Sequence, residues 1–125
     1  MLGNRDAIAT VAVKNFKAAR DFYEGKLGLT GAGGEEEGMI TYKTGGSTLF
    51  VYESQYAGTN QATAVTWVVG NNVDEEVKTL RSKGVAFEHY DLPGTVREGD
   101  VHVAGDIRVA WFKDPDGNIH SVVSG

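Results

Sequence analysis

The sequence predicts an α+β fold made of two consecutive βαβββ units, and three observations carry that expectation. A β-branched strand followed by an amphipathic helix occurs twice: Asn15-Phe16 after the first strand answers to Asn72-Val73 after a later one, an offset of 57 residues. Self-similarity of this kind marks a fold assembled from repeated supersecondary units. The chain also closes on Val109 to Val123, where two apolar, β-branched runs flank Asp114-Pro115-Asp116-Gly117-Asn118, which is how a hairpin with a five-residue turn is written. Finally, 125 residues fit one domain able to bury about two thirds of its unfolded surface. A single domain is expected over residues 1–125, with one unit at 7–55 and the other at 62–125.

Each element has a local reason. Ala7 to Val13 sets Ile8, Thr10 and Ala12 on one side and Ala9, Val11 and Val13 on the other, a strand alternation. Asn15 is placed to cap a helix whose apolar stripe is Phe16, Ala19, Tyr23 and Leu27, widened by Phe22 and ending near Gly25 to Gly28. Gly31, Gly33 and Gly34 lead into Glu35, Glu36 and Glu37. Calcium loops space their ligands on alternate positions, so this run reads as a solvated loop. No Lys-Ser or Lys-Thr follows the glycines, so they do not form a phosphate cradle. Met39 to Lys43 and Thr48 to Glu53 are strands joined by a turn at Thr44 to Ser47, and Ser54 to Gln61 is a linker.

The pattern then restarts. Ala62 to Val69 is a strand with Thr63, Val65, Trp67 and Val69 expected on one side. Asn71 and Asn72 are cap candidates, and Val73, Val77 and Leu80 form a helical stripe ending at Lys83-Gly84. Val85 to Tyr90 reads as a strand, Asp91 to Asp100 as a loop, and Val101 to Ala104 as a strand before the closing hairpin. In that hairpin's turn Pro115 fixes φ, Gly117 accepts positive φ, and the Asp and Asn side chains can bond nearby backbone N–H groups.

Composition excludes several classes. There are no cysteines, hence no disulfides or thiolate metal sites. With 12 Lys plus Arg against 17 Asp plus Glu, the formal charge is −5, which disfavours nucleic acid and mildly favours cationic ligands. No apolar run approaches the roughly 20 residues of a membrane span, and Met1 to Asp6 lacks a secretory apolar region. A cytoplasmic protein with no membrane or nucleic-acid partner is expected.

Two segments carry a family resemblance. Trp111-Phe112-Lys113 followed by Asp-Pro-Asp-Gly-Asn resembles the closing hairpin of the vicinal oxygen chelate superfamily (glyoxalase, bleomycin resistance protein and dioxygenase). Val11 to Phe16, then Ala18, Ala19, Phe22, Tyr23, Leu27, Gly28 and Leu29, resembles its first strand and helix. The resemblance implies that the paired units curl into a cup-shaped mixed sheet with the site inside it.

By the same resemblance, metal-dependent members supply His, Gln or Glu from the first and last strands of each unit. Those positions fall here at Ile8, at Thr63 or Val65, at Phe50 and at Ser121. None suits a divalent ion, so no metal, cofactor or catalytic residue is expected. His120 neighbours the Ser121 position and should face the other way. A register displaced by one residue would instead bring it into the cup as a base, with Asp106 or Glu98 as companion. His89 and His102 are read as surface or packing residues.

What the cup should present is aromatic and apolar: Trp67, Trp111, Phe50 and Tyr52 with Val109, and Thr10, Thr63 and Ser121 as hydroxyls. Phe22, Phe87 and Phe112 are assigned to the core. Such a wall resembles that of the superfamily's metal-free antibiotic-binding members. It implies a protein that sequesters an aromatic or polycyclic small molecule, with Glu53, Asp91, Glu98 or Asp100 at the rim, Asp91 to Gly105 as a lip, and a homodimer as the assembly. The alternative is a divergent metalloenzyme of the glyoxalase, dioxygenase or thiol-transferase kind.

Overall fold

The computed structural model describes residues 1–35 and 38–125; Glu36 and Glu37 of the expected charged loop lie outside the described residues. After a single 3-10 turn at Leu2–Asn4, the elements run β1 (Ala9–Val13), α1 (Phe16–Arg20), β2 (Thr30–Gly31), β3 (Met39–Thr44) and β4 (Ser47–Glu53). They continue as β5 (Thr63–Val68), α2 (Val73–Ser82), β6 (Phe87–Glu88), β7 (Val96–Glu98), β8 (Val101–Ala104), β9 (Ile107–Lys113) and β10 (Ile119–Val123).

Two mixed sheets result, ordered β1-β4-β3-β2 and β5-β10-β9-β8-β7, with β6 also paired to β9. In each, the first strand lies parallel to the last, β1 on β4 and β5 on β10, and the remaining pairs are antiparallel. A parallel neighbour requires a crossover, and in each half the crossover contains the helix. The fold is α+β, as expected.

Local chemistry explains the helices. The Asn15 side chain accepts the Ala18 N–H at 2.8 Å and so caps α1. Beyond Arg20 the chain continues through a π-helical stretch, Asp21–Lys26, in which the Leu27 N–H reaches back to the Phe22 carbonyl. The wider turn accompanies the burial of two consecutive aromatics, Phe22 and Tyr23. At α2, Asn72 occupies the cap position without a side-chain cap bond. Asp74, Glu75 and Glu76 put negative charge at the positive end of the helix instead.

Two expectations need correction. The strand expected over Val85 to Tyr90 shrinks to Phe87–Glu88, and the loop expected over Asp91 to Asp100 contains β7. The β7–β8 register pairs Glu98 with Val101, leaving Gly99-Asp100 as a two-residue hairpin turn with Gly99 at φ +64°. A tight turn of this type needs positive φ, which Gly99 supplies.

Both sheets share one core. Val11, Val13, Ile40, Tyr42, Leu49 and Val51 from the first meet Ala110, Phe112 and Val122 from the second. Ala19, Phe22 and Tyr23 lie between them from α1 and its extension, with Val73, Val77 and Leu80 from α2. Phe22 and Phe112 are buried as expected, with rings 6.2 Å apart, and half-buried Phe87 meets Phe112 edge-on at 5.8 Å.

A polar knot closes this core. The Tyr23 hydroxyl donates to Asp114 Oδ2 at 2.6 Å, and the Asn118 amide donates to the same oxygen at 2.7 Å. Asp114 Oδ1 accepts the backbone N–H groups of Asp116 and Asn118 at 3.0 and 2.8 Å. The turn also grips β1: the Asn118 amide donates to the Ala12 carbonyl at 2.7 Å, and the Lys14 N–H donates to Asp116 Oδ2 at 3.1 Å. His120 Nε2 lies 2.8 Å from the Tyr23 oxygen. The hydroxyl proton is committed to Asp114, so His120 is the donor there, and its Nδ1 is left bare and buried without a partner. Burial, foremost, and Asp114 beside it hold the Tyr23 hydroxyl protonated far above the ordinary tyrosine range.

Burial likewise lowers the pKa of His120 to about 4, with Asp114 opposing the shift. Below pH ~6.5 an unfolded histidine takes up a proton that the folded one refuses, so stability should fall as the pH drops from about 6.5 toward 4. The contribution lost is about 3 kcal/mol at most. Denaturant titrations of wild type and His120→Gln across this window should show a shallower pH slope in the variant; identical slopes would refute the assignment.

Gly58 (φ +74°) lies against the same turn, and a Cβ built there would stand 1.8 Å from the Asp116 carbonyl oxygen. Gly58→Ala should therefore lower unfolding stability by more than about 1 kcal/mol in a denaturant melt. Gly25→Ala, at a glycine with open space around it, is the control and should change little.

Candidate functional site

The site is built on the side of the second sheet that the helices do not cover. Along β10, His120 and Val122 point into the core, so Ser121 and Val123 take the opposite face. Register carries that face across the sheet: Ser121 is opposite Trp111 and Val123 opposite Val109, and Val109 in turn is opposite His102 on β8. Thr66 of β5 is also level with Ser121, and the two hydroxyls share a hydrogen bond of 2.8 Å.

Strand β5 contains an irregularity that decides the aromatic wall. Thr63 pairs with Ile119 and Val65 with His120, so Ala64 is an extra residue bulged from the ladder. A bulge resets the alternation. Thr63 and Thr66 therefore share the Ser121 face, whereas Val65 and Trp67 turn to the core.

The expectation that Trp67 lines the same face as Trp111 is thereby corrected. The Trp67 ring stacks on Phe112 at 6.2 Å and meets His120 edge-on at 5.6 Å, and its indole N–H donates to Thr44 of the first unit at 3.0 Å. Histidine 120 is also inward, fully buried, so the displaced register that would have made it a base in the cup does not occur.

Trp111 remains on the outer face. Its indole N–H donates to the Thr63 hydroxyl at 3.2 Å, and its ring is flanked edge-on by Tyr90 at 5.3 Å and His102 at 4.9 Å. His102 is buried. Its Nε2 accepts the Tyr90 N–H at 3.0 Å, so the neutral ring carries its proton on Nδ1, a buried donor without a partner. The Tyr90 hydroxyl is buried and unpartnered as well, and desolvation, with Glu88 adding to it, raises its pKa. From sequence His102 reads as a surface or packing residue, and Tyr90 is given no role. The alternation of Val101 to Ala104 was legible, but which face His102 takes depends on pairing with β9.

The remaining residues named from sequence lie on the other sheet. Thr10 is level with Phe50, and Tyr52 with Ala12 and Met39, on the face of β1, β4 and β3 away from the core. The structure thus brings Thr63, Val109, Trp111 and Ser121 together on one sheet and Thr10, Phe50 and Tyr52 on another.

The expected rim carboxylates are mostly engaged elsewhere. Glu53 accepts the Phe16 N–H at 3.2 Å, Glu98 pairs with Arg108 at 3.2 Å, and Asp100 pairs with His89 at 2.7 Å and Arg81 at 3.4 Å.

As a metal centre these positions do not fit. Those that the resemblance marks hold Ile8 and Phe50 on the first sheet and Thr63 and Ser121 on the second, with Val65 turned to the core, and the Ser121 hydroxyl is buried and already bonded to Thr66. Among the described residues no group of three or more His, Asp or Glu side chains is placed to hold an ion.

Comparison with known proteins follows the fold. No curated protein matches the chain. Among solved structures, an integron cassette protein from the mobile metagenome of the Halifax Harbour sewage outfall superposes with TM-score 0.72 at 18% identity, covering 98% of this chain and 99% of its own. A glyoxalase family protein from Enterococcus faecalis gives 0.71 at 18% identity, with 98% and 99% covered. A genomically encoded fosfomycin resistance protein from Listeria monocytogenes, complexed with Mn(II) and a dihydroxypropylphosphonic acid, gives 0.70 at 16% identity, with 100% and 92% covered. At these identities the likeness speaks to the fold. Sequence decides the family: the profile of the Glyoxalase/Bleomycin resistance protein/Dioxygenase superfamily matches residues 6–120, and the chain belongs to that superfamily.

Proposed function

We propose that this protein binds a flat aromatic or polycyclic small molecule, an antibiotic sequestered rather than transformed, against the Trp111 face and without a metal. The observation that carries this reading is the Thr66–Ser121 hydroxyl pair at 2.8 Å, with Ser121 buried, at a position where the superfamily resemblance would put a metal ligand. Hydroxyls bonded to each other offer a divalent ion little, since such ions favour imidazole, thiolate or carboxylate donors here.

Trp111 supplies a large, rigid apolar surface whose N–H is already satisfied by Thr63, so a ligand can stack on it without stranding a polar group. His102 Nδ1 and the Tyr90 hydroxyl, unpartnered beside that ring, favour a ligand with polar atoms at its edge. The superfamily resemblance supports a homodimer. In it, the Thr10, Phe50 and Tyr52 face of one chain would close over the Trp111 face of its partner.

A fluorescence titration with polycyclic drugs should quench tryptophan emission. Trp111→Ala should weaken binding at least tenfold, about 1.4 kcal/mol, while Trp67→Phe leaves the affinity within about twofold. Purified without chelator, the protein should carry no stoichiometric transition metal; a tightly held zinc, iron, manganese or nickel ion would overturn the reading. Light scattering should return the mass of two chains, and a monomer at working concentration would remove the closing half of the site.

A further inference from the structure

Trp67, displaced from the Trp111 face, lines a cavity of its own. About 160 Å³ of space lies on the helix side of the second sheet, walled by Trp67, Phe112, Leu27, Leu80 and Val122. An apolar cavity of about 150 Å³ is large enough to take a benzene ring. The Trp67 N–H is bonded to Thr44, so the indole shows this space only its carbon surface. Glu76, in the first turn of α2, is the one charged residue lining it, and among the described residues it makes no ion pair.

We propose that this slot is a second binding site, for a single-ring aromatic amine, with the ring packed against Trp67, Leu27 and Leu80 and the ammonium facing the Glu76 carboxylate. Apolar walls of this volume select a ring by burial and shape. The lone carboxylate selects the sign of the charge, and the net charge of −5 works in the same direction. The site is independent of the one proposed above, because Trp67 and Trp111 lie on opposite faces of the sheet.

The two indole N–H resonances of uniformly ¹⁵N-labelled protein, assigned through the backbone, separate the two sites in one experiment. Phenethylamine, ethylbenzene and phenylacetate are the probes. The Trp67 resonance should move in saturable fashion with phenethylamine and with ethylbenzene, and not with phenylacetate. Glu76→Gln, a change at an exposed position, should weaken phenethylamine about threefold and leave ethylbenzene unaffected. A Trp67 resonance that no probe moves, or that phenylacetate moves equally, would overturn the proposal. So would phenethylamine binding that Glu76→Gln leaves unchanged. Failure of the antibiotic reading would appear at the Trp111 resonance instead.

Discussion

The Asp114 carboxylate is the point on which the two halves of the molecule are joined. It accepts the Tyr23 hydroxyl from the first unit while its remaining bonds, to Asn118 and to two backbone N–H groups, shape the turn of the second. A buried acceptor left short of donors costs about 1–3 kcal/mol, so each donor is held in place by the need to satisfy it. The same turn anchors β1 through Asn118 and Asp116. The first strand of one unit and the closing hairpin of the other are therefore positioned by a single set of bonds.

That joint sets the face of everything downstream. With the turn held by Asp114, β10 begins with Ile119 outward and His120 inward, where its ring meets Tyr23, Trp67 and Phe112. Alternation then obliges Ser121 outward, and register with β9 obliges Trp111 to share its side. The chemistry of the outer face follows from a hydrogen bond in the core. His120 is neutral because burial disfavours its charge, so an imidazole one residue from the site lends it neither a base nor a charge.

Much of this was legible from local pattern. The Asn15 cap, the two helical stripes, the five-residue turn and the turning of His120 away from the Ser121 side all follow from residue types at fixed short spacings, and the structure bears them out. What was not legible depends on partners distant in sequence or on an insertion that leaves no mark. Ala64 carries no glycine or proline signal, yet as a bulge it separates Thr63 from Trp67. A single extra residue thus moves one tryptophan from the expected wall into the core. Strand β7 was hidden because Val96 to Glu98 is short and its pairing rests on Gly99. His102 and Tyr90 joined the site only through the β8–β9 and β6–β9 ladders.

The two tryptophans then have different physical work. Trp67 binds unit to unit, with its ring on Phe112 and its N–H on Thr44, so its loss would open the seam between the halves. Trp111 touches the first unit through no aromatic or hydrogen-bonding contact among the described residues; its contacts are with Thr63, Tyr90 and His102 of its own unit. Between them, Ser121 is 3% exposed. A carboxylate at so buried a position would require a counter-charge, and in a metal site the cation provides it. Serine with threonine as its partner satisfies itself. The Ala64 bulge supplies that partner by bringing Thr66, rather than Val65, level with Ser121.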